Sequence, residues 1–378
     1  MVGCGGMAGA HVNGYRLLWE AGFRSFELTA TCDLDRARAE KMADDIAKWQ
    51  GRRPEVHENV ETLLSTQKEL DATDICAVHR AHHTLAVPCL EAGKHVTIEK
   101  PLAITMRAGK LILDAAARSG KLLQVAEQYR RSPEQRAIHW ALKSGRIGTP
   151  RMLFWIEARE RLWYWNWREH RDQAGGGWTL DGGVHFADLF RYHLGEITTV
   201  SALMRTFYPT RYRDRDSREN PVIVDVEDTT MANLEFEGGQ VGQWTETNVA
   251  PGRGFGERVI YGTEGSLDFS AGLQTPNETL TLAELKAEYL AQLDEREQDR
   301  LFPHGVTEAV GSELGEFIRA VRGEGTIETD GMEGYLSEAV SIAVYESAVL
   351  SRPVSVSEIV ELTVETYQKD LNEGLGLA

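Results

Sequence analysis

The first 122 residues alternate short apolar runs with amphipathic stretches, and that alternation leaves few architectures open. Phe26–Cys32, Asp74–Val78, His95–Ile98 and Leu122–Val125 read as strands. Asp35–Gln50, His83–Ala92 and Met106–Ser119 read as helices between them. Arg53-Pro54 ends the first helix, and Gly93 and Gly120 close the other two, as helix-terminating residues do. Strands joined through helices form a parallel, doubly wound sheet. The fold class is therefore α/β, opening with a Rossmann-type domain over residues 1–122.

The texture changes in residues 123–378, which read as a second α/β domain. A helix near Pro133–Ser144 ends at Gly145. Arg151–Arg159, Thr198–Arg205, Thr229–Phe236, Gly239–Thr247 and Arg258–Tyr261 read as longer strands, with a hairpin turn at Gly238-Gly239. Their succession predicts a large, open, mostly antiparallel sheet. Leu285–Arg300 reads as one solvated surface helix, Glu313–Arg322 and Gly334–Leu350 as helices, and Pro353–Val356 as a final short strand.

Composition removes several function classes. A net charge of −17 argues against a general nucleic-acid binder, which needs a basic face to displace counterions. There is no apolar run long enough to span a bilayer and no basic-then-apolar leader, so the expectation is a cytoplasmic protein with no membrane partner. Cys4, Cys32, Cys76 and Cys89 form no C-x-x-C pair. They read as reduced, buried thiols, and no metal is expected.

Gly3-Cys4-Gly5-Gly6-Met7-Ala8 forms a G-x-G-x-x-A loop. The first glycine permits a tight turn, the second admits a pyrophosphate, and the small third residue packs helix on strand. Gly3, Gly5, Gly6 and Met7 are the candidate phosphate-binding residues. Asp33 follows the next strand, 25 residues after Ala8, where an acid accepts from ribose hydroxyls. A carboxylate there repels a 2′-phosphate, which favours NAD over NADP. Arg36 and Arg38 soften that preference, and Arg38 is a candidate cofactor contact. Only Met1 and Val2 precede the loop, so a very short first strand is expected.

The chemistry concentrates in three residues. Lys100 follows a strand in Glu99-Lys100-Pro101, and Asp181 and His185 lie four apart after Gly175-Gly176-Gly177. Oxidising a secondary alcohol needs a base for the hydroxyl proton, and imidazole titrates near neutrality. An ammonium stabilises the developing alkoxide. If their segment is helical, Asp181 and His185 share one face.

With these residues in view, the chain resembles the glucose-fructose oxidoreductase / inositol dehydrogenase / rhizopine catabolism family. The resemblance rests on the glycine loop, Glu91–Leu102, Trp167-Arg168 and the run from Gly175 through Asp181-Gly182-Gly183-Val184-His185 to Asp188. It implies a Rossmann domain followed by an α/β domain with a large open sheet, NAD as cofactor, a carbohydrate substrate, and a homodimer or homotetramer assembled through that sheet. Lys100 would lie near the nicotinamide and the reacting hydroxyl, Asp181 would orient the substrate, and His185 would act as base or acid. Trp167 and Arg168 would border the nicotinamide and the substrate, while Gln128 and Tyr129 would approach the nicotinamide. Ala77, Val78 and His82 fall where the family usually carries Thr, Pro and His. Ala77 and Val78 depart from that pattern, which leaves contacts from their loop open. Glu99 reads as a structural or cofactor-side residue rather than a catalyst.

Arginines crowd residues 130–171 and 205–218. Most read as salt-bridge partners, and any facing a pocket can grip an anionic group of the substrate. The aromatic run Trp163-Tyr164-Trp165-Asn166-Trp167 can stack on a sugar face or pack its own loop, and Tyr164 joins the substrate-binding candidates. Two enzymatic outcomes fit these residues: simple dehydrogenation, or a redox-neutral glycosidase that oxidises, eliminates, hydrates and reduces. A non-catalytic dinucleotide-binding regulator is the third possibility, and the presence of Lys100, Asp181 and His185 argues against it.

Overall fold

The computed structural model describes residues 1–378. The chain forms two compact units, Met1–Ala103 with Ala108–Ser132 and Leu293–Tyr335, and Ile104–Arg107 with Pro133–Gln292 and Leu336–Ala378.

The first unit holds five short strands: β1 (Ala30–Cys32), β2 (Glu55–His57), β3 (Ala72–Ile75), β4 (His95–Glu99) and β5 (Leu123–Ala126). β1 pairs with β2, and β3, β4 and β5 pair in that order, all in parallel. Val2 bridges Cys32 on one side and Ile75 on the other, joining the two ladders into one Rossmann-type sheet. The predicted short first strand is this single residue. The strand expected over Phe26–Cys32 is confined to its last three residues. The side chain of Gln50 takes both backbone groups of Leu28, at 2.8 and 3.1 Å, and so replaces a ladder partner there.

The helix Arg36–Gln50 begins where Asp35 caps the Ala37 N–H and stops at left-handed Gly51. The helix Gly6–Glu20 packs on Ala309–Val321 with Gly14 against Gly311, and Tyr15, Leu18, Val310, Leu314 and Ile318 form the core beside them. That second helix starts four residues before the expected Glu313, because Glu308 caps the N–H groups of Val310 and Gly311. Thr329 ties residues 293–335 to β5 through its backbone carbonyl and its hydroxyl, both bonded to Val125.

The second unit is built on a nine-stranded sheet. Its strands are β6 (Pro150–Ala158), β7 (Ile197–Arg205), β10 (Thr229–Phe236), β11 (Val241–Thr247), β12 (Phe255–Gly262), β13 (Ser266–Asp268), β14 (Gly272–Gln274), β15 (Thr279–Thr281) and β16 (Val354–Ser355). Between β7 and β10, β8 (Thr210–Asp214) and β9 (Glu219–Ile223) form a separate hairpin that the sequence reading did not foresee. The order is β15-β14-β13-β12-β6-β11-β10-β7-β16, antiparallel throughout except β6 beside β11. Gly239, at φ 84°, turns β10 into β11 as expected. One face is apolar and covered: Trp155 and Trp244 pack against Phe186 and Phe190 of the helix Gly183–Leu194.

The solvated helix expected over Leu285–Arg300 is two helices. Leu282–Gln292 belongs to the second unit and buries Leu285 and Tyr289, one turn apart. Glu295–Leu301 belongs to the first and is capped by Asp294. No helix is long and apolar enough to cross a membrane, and all four cysteines are free and buried.

Candidate active site

In the first unit the glycine loop leads directly into the helix Gly6–Glu20. Gly3 sits at φ +82°, and a Cβ there would fall 2.6 Å from the Cys76 carbonyl oxygen, so only glycine fits. Gly5 and Gly6 have open space where a Cβ would stand, and Gly5 caps the helix with no side chain over its N–H groups. Asp33 follows β1, with Oδ2 accepting from the Cys4 N–H at 2.7 Å and Oδ1 from the Asp35 N–H at 2.8 Å. The carboxylate is thus fixed beside the loop. The Gln128 side-chain oxygen is buried without a hydrogen-bond partner. An uncapped helix end, a cradle free of side chains, a fixed acid and an orphaned acceptor fit a dinucleotide. Arg38 turns outward instead, pairing with Asp35 at 3.2 Å.

Beneath the loop lies a buried polar network that the sequence reading missed. His11 bonds Asp74 through Nδ1 at 2.9 Å and Glu99 through Nε2 at 3.0 Å. Tyr15 donates to Asp74 at 3.0 Å. Burial opposes a charged ring, but Asp74 outweighs it and holds the imidazole pKa well above its ordinary value. Burial also opposes the Asp74 carboxylate, and His11 outweighs that and lowers its pKa. The pair is therefore ionic. Cys76 joins His11 and Asp74 closely enough to offer a metal three ligand atoms. Both imidazole nitrogens already face carboxylates, however, and burial pushes the thiol far up, so it stays protonated.

Glu99 closes β4, and buried Lys100 follows it. Ala77 and Val78 follow β3, partly buried. His82 is fully buried, with Nδ1 on the Pro101 carbonyl at 2.8 Å and Nε2 3.3 Å from the Ala77 carbonyl. Burial, with His79 nearby, pushes its pKa down to about 4. As a neutral ring with a single N–H, it donates to the nearer carbonyl, that of Pro101. Tyr129 stands exposed in the 3-10 turn Gln128–Arg131.

In the second unit the glycine run explains itself by crowding. A Cβ at Gly176 would meet the Tyr345 hydroxyl at 2.1 Å, and one at Gly183 would meet Trp244 at 2.5 Å. Trp178–Asp181 and Gly183–Leu194 are separated only by Gly182, itself in right-handed helical conformation. Asp181 and His185 therefore lie one turn apart on a nearly continuous helix, and both are buried. Arg168 donates through Nε to Asp181 at 3.1 Å. Glu227, also unforeseen, accepts from the Gly177 and Thr179 N–H groups and from the Tyr345 hydroxyl, which fixes the segment leading to Asp181.

The aromatic run does not present bare rings. Arg168 lies over Trp165 and Trp167, Arg215 over Trp163, and Arg213 over Tyr164. Tyr164 also shares a 2.8 Å hydrogen bond with His170. Arg161, Trp165, Arg168, Trp178, Asp181 and Arg211 line one pocket of this unit.

Two family models match the chain: an oxidoreductase family with an NAD-binding Rossmann fold over residues 1–127, and the GFO/IDH/MocA C-terminal domain over residues 136–268. Inositol 2-dehydrogenase 2 of Saccharopolyspora erythraea is 32% identical over 63% of this chain and 68% of its own. The chain belongs to the GFO/IDH/MocA oxidoreductase family. It is an NAD-binding oxidoreductase with the two-part α/β architecture of that family. Levoglucosan dehydrogenase of Pseudarthrobacter phenanthrenivorans is 27% identical over 77% of this chain and 81% of its own. A solved structure of a levoglucosan dehydrogenase with NADH and L-sorbose shares the fold, with a TM-score of 0.75, 24% identity, and 95% and 98% of the two chains covered.

Proposed function

We propose that this GFO/IDH/MocA chain is an NAD-dependent dehydrogenase of a secondary hydroxyl on a sugar, cyclitol or glycoside. The observation that carries the reading is the buried Asp181–His185 pair, one helical turn apart, with Arg168 holding Asp181. Relatives named for levoglucosan and inositol oxidation support the substrate class. Residues 1–122, with Gln128, Trp167 and Arg168, serve the cofactor, and the rest of residues 123–378 the substrate and subunit contacts.

Gly3, Gly5, Gly6 and Met7 receive the pyrophosphate, Asp33 the adenosine ribose, and Glu99, Gln128, Trp167 and Arg168 flank the rest of the dinucleotide. Bound NAD supplies the hydride acceptor. His185 takes the hydroxyl proton, the Lys100 ammonium donates to the oxygen as negative charge develops, and Asp181 keeps His185 and the substrate oriented. Tyr129 and Tyr164 contact the sugar. The reading includes a cytoplasmic homodimer or homotetramer.

NADH appearance with neutral and acidic sugars, cyclitols and aryl glycosides tests the proposal, with aglycone release followed in parallel. NADH in proportion to product is expected. NADH from none of them sinks the dehydrogenase. Aglycone release that needs NAD but leaves no net NADH would replace it with the redox-neutral glycosidase. The hydrogen-bonded Tyr164–His170 pair favours that second reading, because it offers a further base.

A further inference from the structure

Arg161 is a buried guanidinium with no carboxylate bonded to it. Its residue is 8% exposed. Its charge lies 4.1 Å from the ring centre of Trp165, 4.8 Å from Trp163 and 5.2 Å from Trp178. Its backbone N–H donates to the Asn248 carbonyl, but no carboxylate bonds the side chain. The acids around it are engaged elsewhere. Glu169 pairs with Arg211 at 3.5 Å, Asp181 accepts from Arg168, and Glu227 accepts from two backbone N–H groups and Tyr345. Burial pushes the Arg161 pKa down to about 10, although Glu169 and Asp181 pull the other way. An unpaired cation removed from water is unfavourable, and stacking on indoles returns only part of that loss.

Two other buried arginines show the usual arrangement. Arg131 reaches Glu316 at 2.8 Å, and Arg191 reaches Glu196 at 2.8 Å. In the pocket that contains Asp181, Arg168 and Arg211 each reach an acid and Arg161 does not. Arg168 contributes a second donor edge, since its Nε serves Asp181 and its terminal nitrogens make no hydrogen bond.

We propose that Arg161, with the free edge of Arg168, binds the carboxylate of an acidic sugar substrate beside Asp181. This rests on the reading that the chain oxidises a carbohydrate. A guanidinium fork matches a carboxylate at two points. A phosphate dianion fits less well, because Glu169, Asp181 and Glu227 stand in the same wall and repel the second charge more strongly.

The test compares D-glucose, D-glucuronate and D-glucose 6-phosphate, and the same series in galactose, each with NAD. NADH formation gives turnover. Tryptophan fluorescence gives binding independently, because three indoles flank Arg161. The uronate is expected to exceed the hexose by roughly ten- to a hundredfold in kcat/KM, mostly through KM. Arg161→Gln should bring that ratio towards one, and Arg161→Lys should retain part of it. A uronate that binds and reacts no better than the hexose overturns the proposal. So does a ratio that survives Arg161→Gln, or a preference for the 6-phosphate. Should Arg161→Gln fail to fold, the wild-type comparison decides alone. Equal oxidation of hexose and uronate leaves the dehydrogenase standing and removes the carboxylate subsite. NADH from no sugar removes the dehydrogenase, while the uronate titration still decides the subsite.

Discussion

His11 bonds a carboxylate with each nitrogen, which a neutral imidazole with its single N–H cannot do. Its native pKa is raised above 6.5, so its contribution to stability is complete below that value and fades as pH rises through the native pKa. Asp74, lowered from 3.8, contributes above that value and loses its contribution as pH falls through the native pKa. The network is strongest in the mildly acidic window between them. Replacing His11 with Gln leaves two buried acids without a counter-charge, a loss of roughly 3 kcal/mol. Urea midpoints should show the gap between wild type and variant widest near about pH 5.5 and narrower near about pH 9. A gap that grows with pH would contradict a charged His11. Glu99 bonds this ring and precedes Lys100 in sequence, and Lys100 is the residue that probes the proposed chemistry. Lys100→Ala should abolish NADH formation while NAD binding, followed by calorimetry, stays largely intact; unchanged turnover would remove Lys100 from the mechanism. Lys100, Asp181, His185 and Asp33 could be named as candidates from sequence because each stands at a fixed spacing from a glycine or proline signature. His11 was not, since its partners lie 63 and 88 residues away and only the fold brings them to it. Arg161 was one of many arginines in its region, and nothing in the sequence marks which of them lacks an acid.

At the scale of elements, local patterns set most of the strands and helices, and side chains from distant segments changed the rest. Asp35 and Gly239 marked their ends correctly because capping and turning are local, while Gly51 rather than Arg53-Pro54 ends the helix that Asp35 begins. Phe26–Leu28 carried a strand pattern but lost its ladder to Gln50, a competition that no window of sequence shows. The β8–β9 hairpin was hidden by its charge, with Arg211, Arg213 and Asp214 where a strand usually carries apolar residues. Within the large sheet, β11 places Glu246 directly beside Glu157 of β6. Burial, then repulsion by Glu157, pushes the Glu246 pKa up to about 8. Such an acid keeps its proton in the native state while the unfolded chain releases it above 4.5, so stability falls as pH climbs from there to about 8 and then levels. Glu246→Gln removes that dependence. Its melting temperature should exceed the wild type's by several degrees near about pH 9 and by little near about pH 4.5. Equal shifts at both values would show that Glu246 is ionised in the folded protein throughout.

The whole molecule carries −17 charges, yet one face of its largest sheet carries an exposed apolar patch. Leu203 of β7 pairs with Met231 of β10, Val241 of β11 with Met152 of β6, and Met152 with Tyr261 of β12. The register puts all five on the side opposite Trp155 and Trp244, and side-chain alternation keeps them there. Leu203 is 61% exposed and Met231 52%. A patch of that kind on a strongly charged chain is the expected place for the proposed contact with a second copy of the chain. Like charges on two copies oppose that assembly, so it should loosen as salt is withdrawn and screening weakens. Light scattering should therefore give two or four times the 42.2 kDa of one chain at moderate salt. Leu203→Glu with Met231→Glu sets two carboxylates side by side in each copy, within the proposed contact, and should shift the mass to a single chain. Both positions are solvent-facing, so the fold of each chain survives the change and circular dichroism should not move. A wild type that already scatters as one chain at every salt concentration would mean that this face is left to water, and the assembly reading would fall with it.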